Sequence, residues 1–282
     1  MSDSPWSDLD RPPLRGGQLG RSLIRPDGLW TELEVVDSTG STNSDLAARA
    51  ASGAAEGAVL IAEVQTHGRG RLERSWSAPP RSGIFLSLLL RPGDAGVPKE
   101  HWSWLPLLVG VAAASALGQT AGVDVRLKWP NDLLVQVGDE ERKLGGILTE
   151  LADGGKAVIA GLGLNVTLKE TELPVPTAGS LALAGAQLTD RQILVRALLR
   201  SFEELYGEWC ADAGDPAASR LRDAYLDVCA TLDREVRALL PGERELVGRA
   251  VDVDAAGRLV IRAEDGDEHA VSAGDVVHLR GV

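Results

Sequence analysis

The amino-acid sequence predicts an α+β fold: a mixed or antiparallel sheet with packed helices, followed by a small C-terminal β-barrel. Between about residues 31 and 230, short apolar runs are joined by tight polar turns such as Pro130-Asn131-Asp132, which is typical of hairpin strands. Two amphipathic helices follow these runs instead of alternating with them, which favours α+β over a doubly wound sheet. After residue 230, five short alternating runs fit into about fifty residues, which indicates a small barrel.

The predicted elements follow in order along the chain. A helix begins at Ser41 or Thr42, with Asp45 as a capping partner, and runs to Gly53. A buried helix over 102–121 ends at Gly122, because glycine readily adopts the left-handed conformation found after helices. The other two helices are expected over about 189–210 and 216–229. The expected strands cover 33–36, 59–64, 84–90, 125–129, 133–137, 144–151, 157–166, 235–240, 245–253, 259–263, 269–272 and 276–279.

These elements divide the chain into three parts. Residues 1–30 are expected to form a flexible tail, because prolines and glycines interrupt the segment throughout. The tail has about half the length that a winged helix-turn-helix needs, so no DNA-binding domain is expected there. Residues 31–230 form the main domain and residues 231–282 the barrel.

Length and composition exclude several classes of protein. The 282 residues are 44% hydrophobic and 25% charged, which suits one large or two ordinary globular domains. A net charge of −12 disfavours a general nucleic-acid binder. The N-terminus lacks the apolar stretch of a signal peptide, and no apolar run reaches the roughly 18 residues of a membrane span. The only cysteines, Cys210 and Cys229, lack metal-ligand spacing. We therefore expect a cytoplasmic protein that binds neither DNA nor a membrane.

The positive charge of the chain gathers in one short segment. Residues 65–81 hold four arginines and one glutamate, a local charge of +3. Arg69 and Arg71 alternate with Gly68 and Gly70, which in an extended loop places both guanidiniums on one side and lets backbone N–H groups approach a ligand. The pattern indicates phosphate or carboxylate binding, although a solvated basic loop would have the same composition.

Two further segments carry candidate ligand-binding residues. The chain has five lysines against 24 arginines, so Lys128 and Lys143 at the starts of apolar runs indicate positions that need a compact charge. For Lys143 alone, a surface lysine at a hairpin edge is the simpler alternative. Gly161 and Gly163 alternate in a strand that ends near Asn165, which leaves one face bare for a flat ligand or a packed helix. No motif for a covalent nucleophile or a transition metal occurs, so no metal-binding residues are predicted.

In this order and spacing, the segments resemble those of biotin–protein ligases of the monofunctional type, which lack the N-terminal DNA-binding domain. The resemblance covers about residues 31–282. It is carried by Ser41-Thr-Asn43, Gln65, Gly68-Arg-Gly-Arg71, Trp76, Lys128-Trp-Pro-Asn-Asp132, Lys143-Leu-Gly-Gly-Ile147, Gly161-Leu-Gly-Leu-Asn165 and the final strand of the barrel, Ala273–Arg280.

The resemblance implies a biotin/lipoate ligase-like catalytic domain over 31–230 and a two-step reaction. Biotin and ATP, with Mg²⁺ accompanying the nucleotide, would give biotinyl-5′-adenylate, and biotin would then pass to a lysine of a biotin carboxyl carrier domain. The protein is expected to be a monomer or a weak homodimer.

The resemblance also assigns residues to roles. The catalytic residues would be Lys143, Arg69, Arg71 and Asp132, with Asp132 orienting the incoming lysine amine. Biotin would be bound by Ser41, Thr42, Asn43, Gln65, Arg69, Gly70, Arg71 and Lys143. The nucleotide side of the site would be lined by Trp76, Asn131 and Asn165.

The match is imperfect in the Arg/Gly segment, and two alternatives stay open. Where the family commonly has a glycine, two residues after Arg71, this chain has Glu73, and His67 stands where a small residue is usual. Glu73 is therefore expected to slow loop closure or weaken retention of the adenylate. The alternatives are a lipoate or octanoate ligase or transferase of the same superfamily, and a non-catalytic biotin sensor or repressor.

Overall fold

The structure, a computed structural model, describes residues 10–71, 74–240, 244–272 and 275–279. Its main sheet has seven strands in the order β1-β2-β5-β9-β8-β7-β6. Strands β1 and β2 are parallel and the other neighbours are antiparallel, so the predicted mixed sheet is confirmed. The seven strands are β1 (Glu32–Val36), β2 (Ala58–Ala62), β5 (Gly83–Leu90), β6 (Val125–Lys128), β7 (Asp132–Val137), β8 (Glu140–Ala152) and β9 (Ala157–Asn165). Between β2 and β5, the short strands β3 (Gly68–Arg69) and β4 (Ser75–Trp76) form a separate two-stranded hairpin.

Five helices are described, and they cover both faces of the sheet. They are α1 (Gly16–Leu23), α2 (Thr42–Ala51), α3 (Leu105–Ala121), α4 (Arg191–Ala211) and α5 (Leu221–Val228). Helices α3, α4 and α5 pack together on one face over the larger core, whereas α2 covers the other face over a smaller core. The alternation of β2 decides which residue serves which core: Val59 and Ile61 face the larger one, and Leu60 faces the smaller one.

Helix α3 is the central helix of the larger core. A short 3₁₀ helix, Lys99–Trp104, precedes it, and Gly122 ends it with a φ of 67°, as the sequence predicts. The joined helical stretch Lys99–Ala121 is long and apolar enough to cross a membrane, but 72% of its most apolar window is buried inside the protein. Its apolar character therefore reflects its position between the sheet and helices α4 and α5.

The start of helix α2 differs from the predicted capping arrangement. Ser41 is the N-cap residue, but its side chain makes no capping hydrogen bond within the described structure. Asp45 instead accepts a hydrogen bond from the hydroxyl of Thr39. Ser41, Thr42 and Asn43 are all buried, and the Thr42 N–H at the start of the helix donates to Gln65 Oε1. Tertiary contacts have replaced the local cap.

Residues 10–30 are not the flexible tail that the sequence predicts. Helix α1 packs on β1 and α4, with Leu19 and Leu23 buried, and Trp30 is fully buried. Glu63 holds the segment that precedes α1. It accepts a hydrogen bond from the backbone N–H of Leu14 and forms a buried ion pair with Arg191. The prolines and glycines shape a segment that is ordered by tertiary contacts.

The C-terminal part is an antiparallel five-stranded sheet in the order β13-β12-β11-β10-β14. Its strands are β10 (Glu235–Leu240), β11 (Arg244–Val253), β12 (Leu259–Arg262), β13 (Glu268–Val271) and β14 (Asp275–His278). Among the residues described here, β13 and β14 do not pair with each other, so the predicted closed barrel is an open sheet. At its junction with the main domain, burial and the nearby cations Lys128 and Arg234 lower the pKa of His278 to about 4, so this imidazole is neutral at pH 7.

Candidate active site

A cavity of about 660 Å³ opens over the α2 face of the main sheet, where strands β5, β8 and β9 meet. Every residue to which the resemblance assigns a role lines it, whereas Lys128 and Gly68, which the sequence also offered as candidates, are not among its lining residues. The lining residues with an assigned role are Ser41, Thr42, Asn43, Gln65, Arg69, Gly70, Arg71, Trp76, Asn131, Asp132, Lys143 and Asn165.

The floor of this cavity is one face of strand β9. Gly161, Gly163 and Asn165 follow each other at alternate positions, so all three face the cavity. A Cβ at Gly161 would lie 2.2 Å from Asn43 Oδ1, and a Cβ at Gly163 would lie 2.8 Å from Trp76 Cε2. The two glycines therefore make room for an amide from α2 and for an indole ring from β4, and the bare face expected from the sequence is filled by both.

A chain of polar side chains runs along one end of the floor. Gln65 Oε1 accepts hydrogen bonds from the backbone N–H of Thr42 (2.9 Å) and lies 3.1 Å from its hydroxyl. Ser87 Oγ, fully buried on β5, lies 2.7 Å from the Thr42 hydroxyl and 2.6 Å from Asn43 Oδ1. Asn43 Nδ2 then donates to Glu150 Oε2 (2.8 Å) and to the carbonyl of Leu148 (3.1 Å). Buried polar groups at this end are thus fixed by each other.

Lys143 lies at the other end of the floor. Its Nζ is 2.6 Å from Asp132 Oδ1 and 5.7 Å from the centre of the Trp76 ring. The β7–β8 register shifts next to this position. Lys143 lies opposite Leu134 of β7, and its backbone also hydrogen-bonds to Thr177 and Gly179 in the loop 174–179. Because its side chain is about one-third exposed, the ammonium faces the cavity and is not a hairpin-edge lysine in solvent.

Three arginines of the β3–β4 hairpin segment line the cavity, Arg69, Arg71 and Arg74, and the first two reach different partners across it. Arg69 Nη2 lies 3.0 Å from Glu150 Oε2, and Arg71 Nη1 donates to Asn131 Oδ1 (3.2 Å). Asn131 in turn donates from its Nδ2 to the carbonyl of Ile147 (2.9 Å). Together with Lys143, the arginines place four cations around one cavity, an arrangement that suits an anionic ligand with more than one charged group.

The indole of Trp76 has a buried N–H that meets no acceptor among the described residues. Its ring lies against the two glycine-bearing strands, within 3.5 Å of the Cβ position of Gly146. This N–H is buried by the protein itself, and its nitrogen lies 2.9 Å from the Cβ position of Gly163, so the ring and not the N–H is the part of Trp76 that lines the cavity.

The sequence predictions missed two parts of the site. Glu150 holds both Asn43 and Arg69, but its position in an apolar strand gives no local signal for either contact. The loop 174–178 forms one wall of the cavity, and its sequence of prolines and small residues indicates only a loop. Glu73 lies outside the described residues, so its predicted effect stays a prediction.

Neither cysteine is set up for covalent catalysis. Burial raises the pKa of Cys210 to about 11 and also raises the pKa of Cys229, so both thiols are protonated at pH 7. Both are free cysteines and neither lines the cavity. The residues described here also contain no group of three or more His, Cys, Asp and Glu side chains that could hold a metal ion.

Comparisons with known proteins agree with this geometry. The family model for the biotin/lipoate A/B protein ligase family matches residues 33–166, and that for the biotin protein ligase C-terminal domain matches residues 231–279. A biotin–[acetyl-CoA-carboxylase] ligase of Mycobacterium tuberculosis is 43% identical over 277 residues, which are 97% of this chain and 98% of the relative. This chain belongs to the biotin/lipoate A/B protein ligase family. The resemblance stated from its sequence is confirmed.

Other members of the biotin/lipoate ligase family support the same fold. The bifunctional ligase/repressor BirA of Bacillus subtilis is 31% identical over 271 residues, covering 91% of this chain and 78% of the relative. The structure of biotin protein ligase from Aquifex aeolicus in complex with biotin and ATP superposes with a TM-score of 0.72 at 25% identity, covering 89% of this chain and all of that one. The first family match spans β1 to β9, and the second spans the C-terminal sheet.

Proposed function

We propose that this protein is an ATP-dependent biotin–protein ligase. It would form biotinyl-5′-adenylate from biotin and ATP, and then transfer biotin to a lysine of the biotin carboxyl carrier domain of a carboxylase. The observation that carries the proposal is the convergence of four cations and a buried polar floor on one cavity. The 43% identical relative, named as a biotin–[acetyl-CoA-carboxylase] ligase, supports it along nearly the whole chain.

In the first step, a biotin carboxylate oxygen attacks the α-phosphorus of ATP, a C–O–P linkage forms, and pyrophosphate leaves. The step brings two anions together, so its barrier falls mainly through neutralisation of charge and positioning. Lys143 lies where it can contact both the carboxylate and the α-phosphate. Arg69 and Arg71 neutralise the phosphates from the hairpin side of the cavity.

The remaining cavity residues divide between the two substrates. The polar end, with Ser41, Thr42, Asn43 and Gln65, would bind the ureido head of biotin. The other end would bind the nucleotide through Trp76, Asn131 and Asn165, which donates to the carbonyl of Gly179 at 2.9 Å. This division follows the two chemistries of the cavity: neutral hydrogen-bonding groups at one end, and cations with an aromatic ring at the other.

In the second step, a neutral lysine amine attacks the acyl carbon and AMP leaves. Among the described residues that line the cavity, Asp132 is the one that carries a carboxylate, and its Oδ1 is 2.6 Å from Lys143 Nζ. Lys143 therefore holds Asp132 in place in the first step, and the other carboxylate oxygen of Asp132 would orient the incoming amine and take its proton.

Mg²⁺ would enter with ATP. The described residues present no cluster of carboxylates dedicated to a metal, which agrees with an ion held mainly by phosphate oxygens and water. When bound, the ion neutralises phosphate charge. Asp132 is the carboxylate of this cavity that could add a protein ligand.

We further propose that the protein is cytoplasmic and is a monomer or a weak homodimer. We also propose that the part of the chain that the structure describes does not bind DNA. The described part of the N-terminal segment holds one short helix whose apolar side chains are buried on α4 and β1, so it offers no exposed recognition helix for a DNA groove. Lipoate or octanoate transfer stays the alternative activity within the family, and no feature of the cavity favours it.

One assay tests the proposed activity. The protein is incubated with ATP, Mg²⁺, a carrier domain and either biotin, lipoate or octanoate, and pyrophosphate release and carrier mass are followed. We expect biotin-dependent pyrophosphate release and one biotinyl group added to the carrier. Turnover with lipoate or octanoate instead would support the alternative, and binding of biotin without any turnover would support a sensor.

A further inference from the structure

We propose that Ser87, a buried residue behind the cavity, fixes the Thr42 hydroxyl as a hydrogen-bond acceptor and thereby makes the site selective for a ligand with an N–H group at that point. Ser87 would be a positioning residue that determines specificity without touching the ligand. The inference rests on the proposed biotin-binding role of the cavity. It follows from counting the protons available to four neighbouring polar groups.

The orientation of the Asn43 amide is the first step. One of its ends faces two acceptors, the carbonyl of Leu148 at 3.1 Å and the carboxylate of Glu150 at 2.8 Å. A carbonyl has no proton to donate, and the Glu150 carboxylate forms an ion pair with Arg69 at 3.0 Å, so the NH₂ end of Asn43 must face them. The oxygen of Asn43 therefore faces Ser87, and Gly161 leaves the space that this oxygen occupies.

The proton of the Ser87 hydroxyl can be assigned next. It has one proton, and Asn43 Oδ1, 2.6 Å away, can only accept. Ser87 therefore donates to Asn43. Its lone pairs then face the Thr42 hydroxyl at 2.7 Å, a distance at which one of the two oxygens must supply a proton.

The proton of the Thr42 hydroxyl is assigned last. Its single proton can go to Ser87 at 2.7 Å or to Gln65 Oε1 at 3.1 Å, which is also an acceptor because it receives the Thr42 backbone N–H. Either way the proton is used within the protein. Thr42 lines the cavity, so its hydroxyl offers lone pairs and no proton to a ligand.

This assignment gives the cavity a chemical preference. A ureido group has two N–H donors, and one of them can donate to Thr42. A dithiolane ring or an alkyl chain has no such donor, and would leave a desolvated lone pair unpaired at a buried position. The carboxylate of Glu150, at the far end of the chain, stabilises this direction because it accepts from Asn43.

The test uses isosteric biotin analogues in which either ureido N–H is replaced by a ring oxygen. Binding of biotin and of both analogues is measured by calorimetry with the wild-type protein and with Ser87→Ala. We expect the wild-type protein to bind one analogue roughly 10- to 100-fold more weakly than biotin, because two acceptors would face each other. In Ser87→Ala the Thr42 hydroxyl loses its nearer acceptor and keeps only Gln65 Oε1 at 3.1 Å, so its proton can turn to the analogue more readily than in the wild type. The preference for biotin over that analogue, measured as the ratio of the two dissociation constants, should therefore be smaller in Ser87→Ala than in the wild type.

Two further variants keep the test decisive. Thr42→Val removes the acceptor, so it should weaken biotin binding and also abolish the preference for biotin over the analogue. Ser115→Ala, at an exposed position on α3, is the matched control and should keep the wild-type preference.

The outcomes separate this inference from the proposed function. A Ser87→Ala protein that keeps the wild-type preference, or that loses affinity for biotin and analogue equally, would overturn the role of Ser87 while biotinylation by the wild type stands. Failure of the wild-type protein to bind biotin would overturn both. A gain in analogue binding by Ser87→Ala has no explanation in a purely structural role.

Discussion

The sheet floor and the β3–β4 hairpin enclose the same cavity, but they are built in different ways. The floor lies on β8 and β9, of 13 and nine residues, and side chains such as Asn43 and Asn165 are only 5% exposed. The hairpin has two residues in each strand, and the Arg69 side chain is 46% exposed. Its described cross-strand contacts include the hydrogen bond from the Gly70 N–H to the carbonyl of Arg74.

The difference separates two kinds of contribution to catalysis. Groups on a long, paired strand are positioned before the ligand arrives, so their interactions act on binding and on the chemical step together. Groups on a short hairpin with few backbone hydrogen bonds open at a lower free energy, so they act mainly on how long a ligand is retained. Substitutions in the two regions should therefore change different rate constants.

The largest effect is expected from Lys143→Ala on the floor. This change removes a cation from the reacting carboxylate and phosphate and leaves Asp132 without its partner. Loss of a charge-assisted contact of about 1.5–3 kcal/mol, or more where the group is buried, predicts a fall of roughly 10- to 100-fold or more in the adenylation rate. Single-turnover pyrophosphate release measures it.

Two controls sharpen that result. Lys156→Ala, at an exposed lysine in the distant β8–β9 turn, should leave adenylation unchanged. Lys143→Arg should recover only part of the rate, because a planar fork replaces a compact ammonium next to Trp76 and Asp132. Full activity in Lys143→Ala would contradict the assignment of the floor.

A smaller effect, of a different kind, is expected from Arg71→Ala in the hairpin. This side chain bridges from the hairpin to Asn131 on the floor side of the cavity. Its removal should speed dissociation of biotinyl-adenylate by roughly 10-fold, because one charge-assisted contact is lost, and it should slow adenylation less than Lys143→Ala does. A chase of preformed adenylate with excess unlabelled biotin measures the dissociation rate.

The control for this prediction is Arg21→Ala, at an exposed arginine on α1 that carries the same charge change away from the site. If Arg71→Ala lowered the chemical rate as much as Lys143→Ala and left dissociation unchanged, the distinction between hairpin and floor would be wrong.

The same two regions explain what the sequence could predict. The strands of the floor can be predicted from the alternation of apolar residues in the sequence, and Gly161 and Gly163 interrupt that alternation. Which group fills the space above each glycine could not be predicted, because Asn43 and Trp76 come from distant segments. The contact between Arg69 and Glu150 joins residues 81 positions apart and likewise has no local signal.

Local sequence also gave two wrong expectations for a common reason. Ser41-Thr42-Asn43 has the composition of a helix cap, yet Ser87, Gln65 and Glu150 from other strands decide where its side chains point. Residues 10–30 have the composition of a flexible tail, yet Glu63 and helix α4 order them. In both segments, buried partners that are far away in sequence override local preference.

The smallest effect is expected from Glu73→Gly, which changes the sequence of the segment between the two hairpin strands. Removing a carboxylate near Arg69 and Arg71 in sequence lowers repulsion toward an anionic adenylate. A typical exposed charge–charge interaction is worth about 0.2–1 kcal/mol, and an effect of this size predicts adenylate dissociation slower by roughly 1.5- to 5-fold. Glu73→Gln removes the charge and keeps a side chain, so equal slowing in both variants would assign the effect to charge, and slowing in the glycine variant alone would assign it to backbone freedom. An unchanged dissociation rate in both variants would show that Glu73, although it departs from the family pattern, does not influence how long the adenylate is retained. The larger effect expected for Arg71→Ala would then come from the contacts of Arg71 alone.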